Sequence, residues 1–320
     1  MMAATTKLSS GDRVGNYRIE HELACDGVGV TYRAVHLVLP RRAVIKVMHA
    51  ETSQPRAIHM LREACILEAL HHPGVSRVYE SGLLPDRRPW FAREHVEGLT
   101  LATVMTPGAL PRINAIALLR DLAGVLEHAH HRGVVHCGLR PSRVLLSDRA
   151  RSYPVCIADW SSARAHDAER TPYVVTSESW YYTAPELAAG EDVDERADVF
   201  ALGVIAYEML AGAVPYENRP VATATDGSTQ HVPMALRCPG IPRELTSLID
   251  RSLAHRSWER PSSTEVHEGF ASVVDQISQA TRPASMRIRR PRWTPPLAFE
   301  DPMAMAQHGR ATTDRDDERE

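Results

Sequence analysis

The sequence is short of several things, and each shortage excludes a class of protein. It has five cysteines in 320 residues (Cys25, Cys65, Cys137, Cys156 and Cys238), and no two of them make a C-x-x-C pair. This odd, scattered set argues against a disulfide framework and fits free thiols in a reducing cytoplasm. No apolar run reaches 18 residues, and the longest, Val199 to Leu210, carries Glu208, so no membrane span is expected. The opening residues, Met1 to Lys7, lack the apolar core of a secretory signal. The net charge is only −3, which gives no bulk basicity with which to hold nucleic acid. The scarcest residue is lysine. Of 37 basic residues only Lys7 and Lys46 are lysine, so the other 35 are arginine. Where this chain needs a generic cation it uses arginine, and a lysine that persists needs a reason of its own.

What is present supports a packed protein. Apolar residues make up 43% and charged residues 24%, enough for a real core, and the length suits one two-lobed domain or two ordinary ones. Residues 1–14 read as a polar tail. Over 15–98 the pattern is strand-like, with β-rich runs at Tyr17–Leu23, Val30–Leu37 and Arg42–Met48. A single helix interrupts them at about Pro55–Leu70, with Ile58, Leu61 and Cys65 at helical spacing and Pro73-Gly74 as stop signals. Over 99–280 the pattern turns helical: Arg112–His131, the nearly all-apolar Arg196–Ala211, Pro242–Ala254 and Thr264–Ala280. Residues 281–320 combine a basic half with an acidic end and read as a disordered tail, within which Thr313 and Asp316 outline a weak phosphothreonine motif. The fold class expected is α+β and bilobal, with a small β-rich lobe before a larger helical lobe.

Several motifs then occur in fixed order. A glycine-rich turn covers Ala24 to Thr31, including Gly27 and Gly29. Ala43-Val44-Ile45-Lys46 is followed 17 residues later by Glu63 in a helix. His136-Cys137-Gly138-Leu139-Arg140-Pro141-Ser142-Arg143 precedes Asp159-Trp160-Ser161, then Ala184-Pro185-Glu186, Asp198 at the start of the apolar helix, and Arg260-Pro261. In order and spacing, over about Tyr17–Val274, these resemble the bacterial-type Ser/Thr protein kinases. The resemblance implies that Lys46 holds nucleotide phosphates and pairs with Glu63, and that Asp159 ligates Mg²⁺. It implies that Ala24, Gly27, Gly29, Thr31, Val44, Arg93, His95 and Leu145 line the nucleotide cleft. It gives structural roles to His136, Glu186, Asp198 and Arg260.

Against that family pattern the chemistry is incomplete. Phosphoryl transfer uses a carboxylate to orient the attacking hydroxyl and an asparagine for the second metal ion. These slots hold Gly138 and Arg143, a glycine and a fixed cation that cannot ligate Mg²⁺. Two loop glycines are replaced by Ala24 and Asp26, and Asp26 brings negative charge toward a bound triphosphate. The slot at the back of the adenine pocket holds Arg93, a guanidinium that must find an acid or water; Glu63 is one candidate. Arg143 is placed to pair with Asp159 or Asp26 in lieu of a metal. Lys46, Glu63 and Asp159 either hold Mg-ATP weakly or form a structural ion-pair cluster. Cys137 replaces an arginine that grips a phosphorylated activation segment, and Ser179 lacks its usual catalytic aspartate. The histidines His128, His130, His131 and His136 match no zinc spacing and are expected at a helix end and in the core. The expected protein is a cytoplasmic pseudokinase that works by binding protein partners, such as an active kinase or another signalling protein. The alternative is a weakly active or unorthodox ATP-dependent kinase.

Overall fold

A computed structural model of the chain describes residues 7–50, 52, 54–105, 110–147, 151–165, 175–216 and 231–281. The tail over 282–320, with Thr313 and Asp316, lies outside the described residues. The chain divides into two units between Gln279 and Ala280, and the first of them carries the sheets and the cleft.

Six strands form an antiparallel sheet: β1 (Arg13–Val14), β2 (Tyr17–Cys25), β3 (Gly29–His36), β4 (Arg42–Met48), β5 (Val78–Leu83) and β6 (Pro89–Glu94), in the order β1-β2-β3-β4-β6-β5. Strand alternation decides its two faces. Tyr17, Ile19, Tyr32, Ala34, Ala43, Ile45, Val47, Trp90 and Ala92 pack into one apolar cluster. Their neighbours in sequence, Thr31 and Arg33, Val44 and Lys46, and Arg93, turn to the opposite face and line a cleft. Helix α1 (Gln54–Leu70) comes between β4 and β5 and buries Met60, Glu63, Ile66, Leu67 and Leu70. The expected helix at Pro55–Leu70 and strands at Tyr17, Val30 and Arg42 thus lie within a residue or two of where the sequence places them.

The rest is mainly helical. It contains β7 (Gly98–Thr100), α2 (Leu101–Val104), α3 (Arg112–His130), β8 (Val134–Val135), β9 (Val144–Ser147), β10 (Val155–Ile157), β11 (Arg164–Ala165), α4 (Pro185–Ala189), α5 (Arg196–Ala211), α6 (Met234–Arg237), α7 (Arg243–Ser252) and α8 (Ser263–Thr281). Strands β10, β9 and β7 form a small sheet, and β11 pairs with β8. Helix α5 is buried nearly all round, from Ala197 to Tyr207, as a helix without a polar face must be. It packs against α3 and α7. The architecture is α+β with a sheet-rich and a helix-rich part, as the sequence indicates. No described helix is long and apolar enough to cross a membrane.

Candidate functional site

The cleft occupies about 800 Å³ between the cleft-facing strands and the β7–β9–β10 sheet. Ala24, Thr31, Val44, Lys46, Glu63, Arg93, His95, Leu145 and Asp159 all line it, as expected. Gly27 and Gly29 do not. Gly29 serves packing instead: a Cβ there would lie 2.3 Å from the Val47 carbonyl oxygen, so β3 can approach β4 only without a side chain. Arg33, Thr100 and Ser142 also line the cleft; Ser142 lies inside the His136–Arg143 motif, whereas Arg33 and Thr100 carry no motif signal that would have marked them.

Lys46 is buried and its ammonium lies 2.9 Å from Glu63 Oε2 on α1. A second carboxylate, Asp26 Oδ2, stands 3.4 Å away. Asp26 also accepts 2.8 Å hydrogen bonds from the backbone amides of Val28 and Gly29. The loop therefore directs its amides and its one acid inward on itself, and the acid meets the ammonium. Burial opposes the Lys46 charge, but Glu63, Asp26 and Asp159 outweigh it and raise its pKa. Burial likewise pushes Asp26 up, and Lys46 with the two amides more than reverses this.

On the opposite wall Arg143 Nε lies 3.0 Å from Asp159 Oδ2. Its Nη1 donates to the Gly138 carbonyl and to Ser162 Oγ, each at 3.0 Å. A Cβ on Gly138 would sit 2.2 Å from that same Nη1 and 2.9 Å from Ser162 Oγ. The end of the Arg143 side chain thus lies where a side chain at 138 would begin, and a residue larger than glycine there would have to move it aside. Burial raises the Asp159 carboxyl's pKa, but Arg143 and Lys46 hold it well below the usual carboxylate range. Of the two acids offered to Arg143 by the sequence, the structure selects Asp159. Ser162, three residues past Asp159, was the missed member of this cluster.

Arg93 corrects an expectation. Glu63 is not its partner, because Lys46 holds that carboxylate. Arg93 Nη1 instead donates to Ser76 Oγ at 3.3 Å. The histidines lie where expected: His128 and His130 in the last turn of α3, His131 at its C-cap, and His136 in the core. His130 Nε2 lies 2.9 Å from Asp198 Oδ2, and His128 bonds the Leu70 carbonyl. No group of three or more His, Cys, Asp or Glu gathers as a metal site among the described residues. Ser179 bonds within its own segment, its Oγ accepting from the Thr176 amide at 2.9 Å.

The supporting frame is intact. Asp198 at the start of α5 accepts from the His136 amide at 2.7 Å and the Cys137 amide at 2.9 Å. This fixes Cys137 in left-handed backbone (φ 56). His136 Nε2 donates to the Asp159 carbonyl at 2.7 Å, its Nδ1 accepts from the Gly138 amide at 3.2 Å, and Trp160 lies edge-on at 4.7 Å. Both ring nitrogens are committed to the neutral form, and burial depresses the His136 pKa to about 4. In the unfolded chain this histidine titrates near 6.5, so the unfolded state binds the proton first as pH falls. Stability is expected to decline from pH 6.5 toward 4, by about 1.4 kcal/mol per pH unit from this group alone. Urea unfolding of the wild type and His136→Gln at pH 7 and pH 5 measures it; the variant's loss between the two should be smaller.

Comparisons with known proteins agree with this geometry. The family described as protein kinase domain matches residues 17–269. The chain is 31% identical over 279 residues to the serine/threonine-protein kinase pkn2 of Myxococcus xanthus, covering 83% of this chain and 33% of that protein. It is 30% identical over 265 residues to PknJ of Mycobacterium tuberculosis, covering 80% and 45%. PknA of the same species is 30% identical over 299 residues, covering 91% and 67%. The chain thus spans less than half the length of pkn2 and PknJ. Among solved structures, the PknI kinase domain of M. tuberculosis superposes with a TM-score of 0.62 at 26% identity, covering 83% of this chain and 100% of that one. Cleft, frame and relatives together make this chain a member of the protein kinase domain family.

Proposed function

We propose that the chain is a pseudokinase: a protein kinase fold that binds protein partners, in a regulatory or scaffolding role, and does not transfer phosphate. One observation carries the reading. The Arg143 guanidinium stands in the space a side chain at 138 would need, and neutralises Asp159 at 3.0 Å. A base at position 138 would have to displace the flexible end of that side chain, and a metal ion on Asp159 would meet its charge. The Asp26–Lys46 contact supports the same reading from the other wall, since an acid already sits against the phosphate-binding ammonium. Lys46, Glu63 and Asp159 are the residues that would hold Mg-ATP, and in this arrangement all three charges already have protein partners. The five cysteines are free, which fits work in the cytoplasm.

The alternative, a weakly active kinase, draws on the preserved Lys46–Glu63 pair and on Asp159. Positioning and electrostatics supply much of phosphoryl transfer, so loss of the base alone does not end it. The two readings separate cleanly. With millimolar Mg-ATP the purified chain is expected to show no rise in melting temperature and no radiolabel on itself or on generic protein substrates. A clear rise, with transfer abolished by Lys46→Ala, would establish the enzyme and overturn the pseudokinase.

A further inference from the structure

The charges lining the cleft are paired with one exception. Lys46 holds Glu63 and Asp26, Arg143 holds Asp159, Arg42 holds Glu97 and Arg33 holds Glu20. Among the described residues Arg93 has no carboxylate, and the neighbouring acid Glu94 is taken by Arg151 at 2.5 Å. Arg93 has five N–H donors and spends one on the Ser76 hydroxyl. His95, two residues on, has a buried Nδ1 without a hydrogen-bond partner among the described residues.

Strand register fixes where this cation stands. Arg33 lies opposite Val44, and Val44 opposite Arg93. Directly opposed residues share a sheet face, so Val44 is flanked by two guanidiniums on the cleft ceiling. Leu145 on β9 lines the facing wall. The cleft thus offers aliphatic surface at Val44 and Leu145 beside a guanidinium with no carboxylate partner among the described residues. A half-buried guanidinium of this kind disfavours an amino group and favours a planar acceptor with negative charge, which it can hold with two parallel hydrogen bonds.

We infer that the inner cleft is a binding site for a small planar aromatic acid, its ring between Val44 and Leu145 and its carboxylate on Arg93. The inference rests on the pseudokinase reading in one respect: the slot is free of ATP in the working protein. Ligand and protein would then complete each other's charge, as the chain's own acids do for the other cations of the cleft.

The probes are naphthalene-2-carboxylate and indole-2-carboxylate, with naphthalene-2-carboxamide as the neutral isostere, followed by ligand-observed NMR and melting temperature. Expected results are binding of both acids, at least tenfold weaker binding of the amide, and at least tenfold weaker binding of the acids to Arg93→Met. Arg93→Gln, which keeps donors and loses charge, should behave as Arg93→Met does and serves if the methionine variant fails to fold. No binding of either acid at several millimolar, or equal binding of acid and amide, would overturn the inference. So would acid binding that survives in a folded Arg93 variant. Failure of the two readings is distinguishable: Mg-ATP that binds and is turned over sinks the pseudokinase and with it the aromatic-acid site, whereas silent acids beside silent Mg-ATP sink the aromatic-acid site alone.

Discussion

Changing Asp26 to glycine and Arg143 to asparagine together is expected to make the chain bind Mg-ATP far more tightly than the wild type does. The two changes release the two sides of the cleft. Asp26 occupies the Lys46 ammonium at 3.4 Å and also takes the Val28 and Gly29 amides. A phosphate would need that ammonium and amides of this kind. Arg143 occupies Asp159 at 3.0 Å, where a cation of the same sign excludes Mg²⁺ by direct repulsion. Asparagine at 143 supplies a neutral oxygen in place of the charge. At nucleotide about 100 times the dissociation constant, ligand linkage stabilises by about 2.7 kcal/mol. For a domain of this size that corresponds to a rise of about 5–10 °C in melting temperature. The rise should require both Mg²⁺ and nucleotide, and each single change should give much less. Adding Gly138→Asp to the pair should then permit measurable transfer, because the carboxylate enters the space the guanidinium vacated. A wild type that already responds fully to Mg-ATP would show that the internal ion pairs do not guard the cleft.

The second large effect is on stability. Arg260→Ala is expected to cost about 3–5 kcal/mol, the range found when one member of a buried ion pair is removed, and about 10 °C in melting temperature. The Arg260 side chain is fully buried and all five of its donors are used. Nη1 and Nη2 grip Glu186 at 2.7 and 2.9 Å, and the other bonds reach the carbonyls of Ala254, Arg196 and His255. Phe200 lies 5.0 Å beneath the guanidinium. Three carbonyls and one carboxylate would lose their partner at once. Arg260→Lys should recover little, because an ammonium cannot reproduce the planar fork. Chemical denaturation of the two variants against the wild type measures the difference. A loss below about 1 kcal/mol, the scale of an exposed pair, would mean that water replaces the guanidinium in this position.

Much of this was legible in sequence. Strand alternation in Val44-Ile45-Lys46 already separates a cleft face from a core face. The unbroken apolar character of α5 requires burial, and the family resemblance anticipates two ion pairs that the structure contains, Lys46–Glu63 and Glu186–Arg260. Substitutions at Gly138 and Arg143 were also visible as residues out of pattern. Their proximity was not, since nothing in the order of residues says that Nη1 of one lies 2.2 Å from where a Cβ of the other would stand.

Partner choice is where sequence reasoning stopped. Arg143 had two acids on offer, Asp26 and Asp159, and Arg93 had Glu63. Composition and motif order count such charges without ranking the distances between them. The fold ranks them: α1 brings Glu63 to Lys46 and so leaves Arg93 with a hydroxyl, while the glycine-rich turn folds Asp26 back onto Lys46 and leaves Asp159 to Arg143. By itself the sequence determined the family, the lobes and the persistence of Lys46 in a chain with 35 arginines. Only the tertiary structure decided which charge each cation meets, because pairing falls off with separation and long-range separations are set by packing.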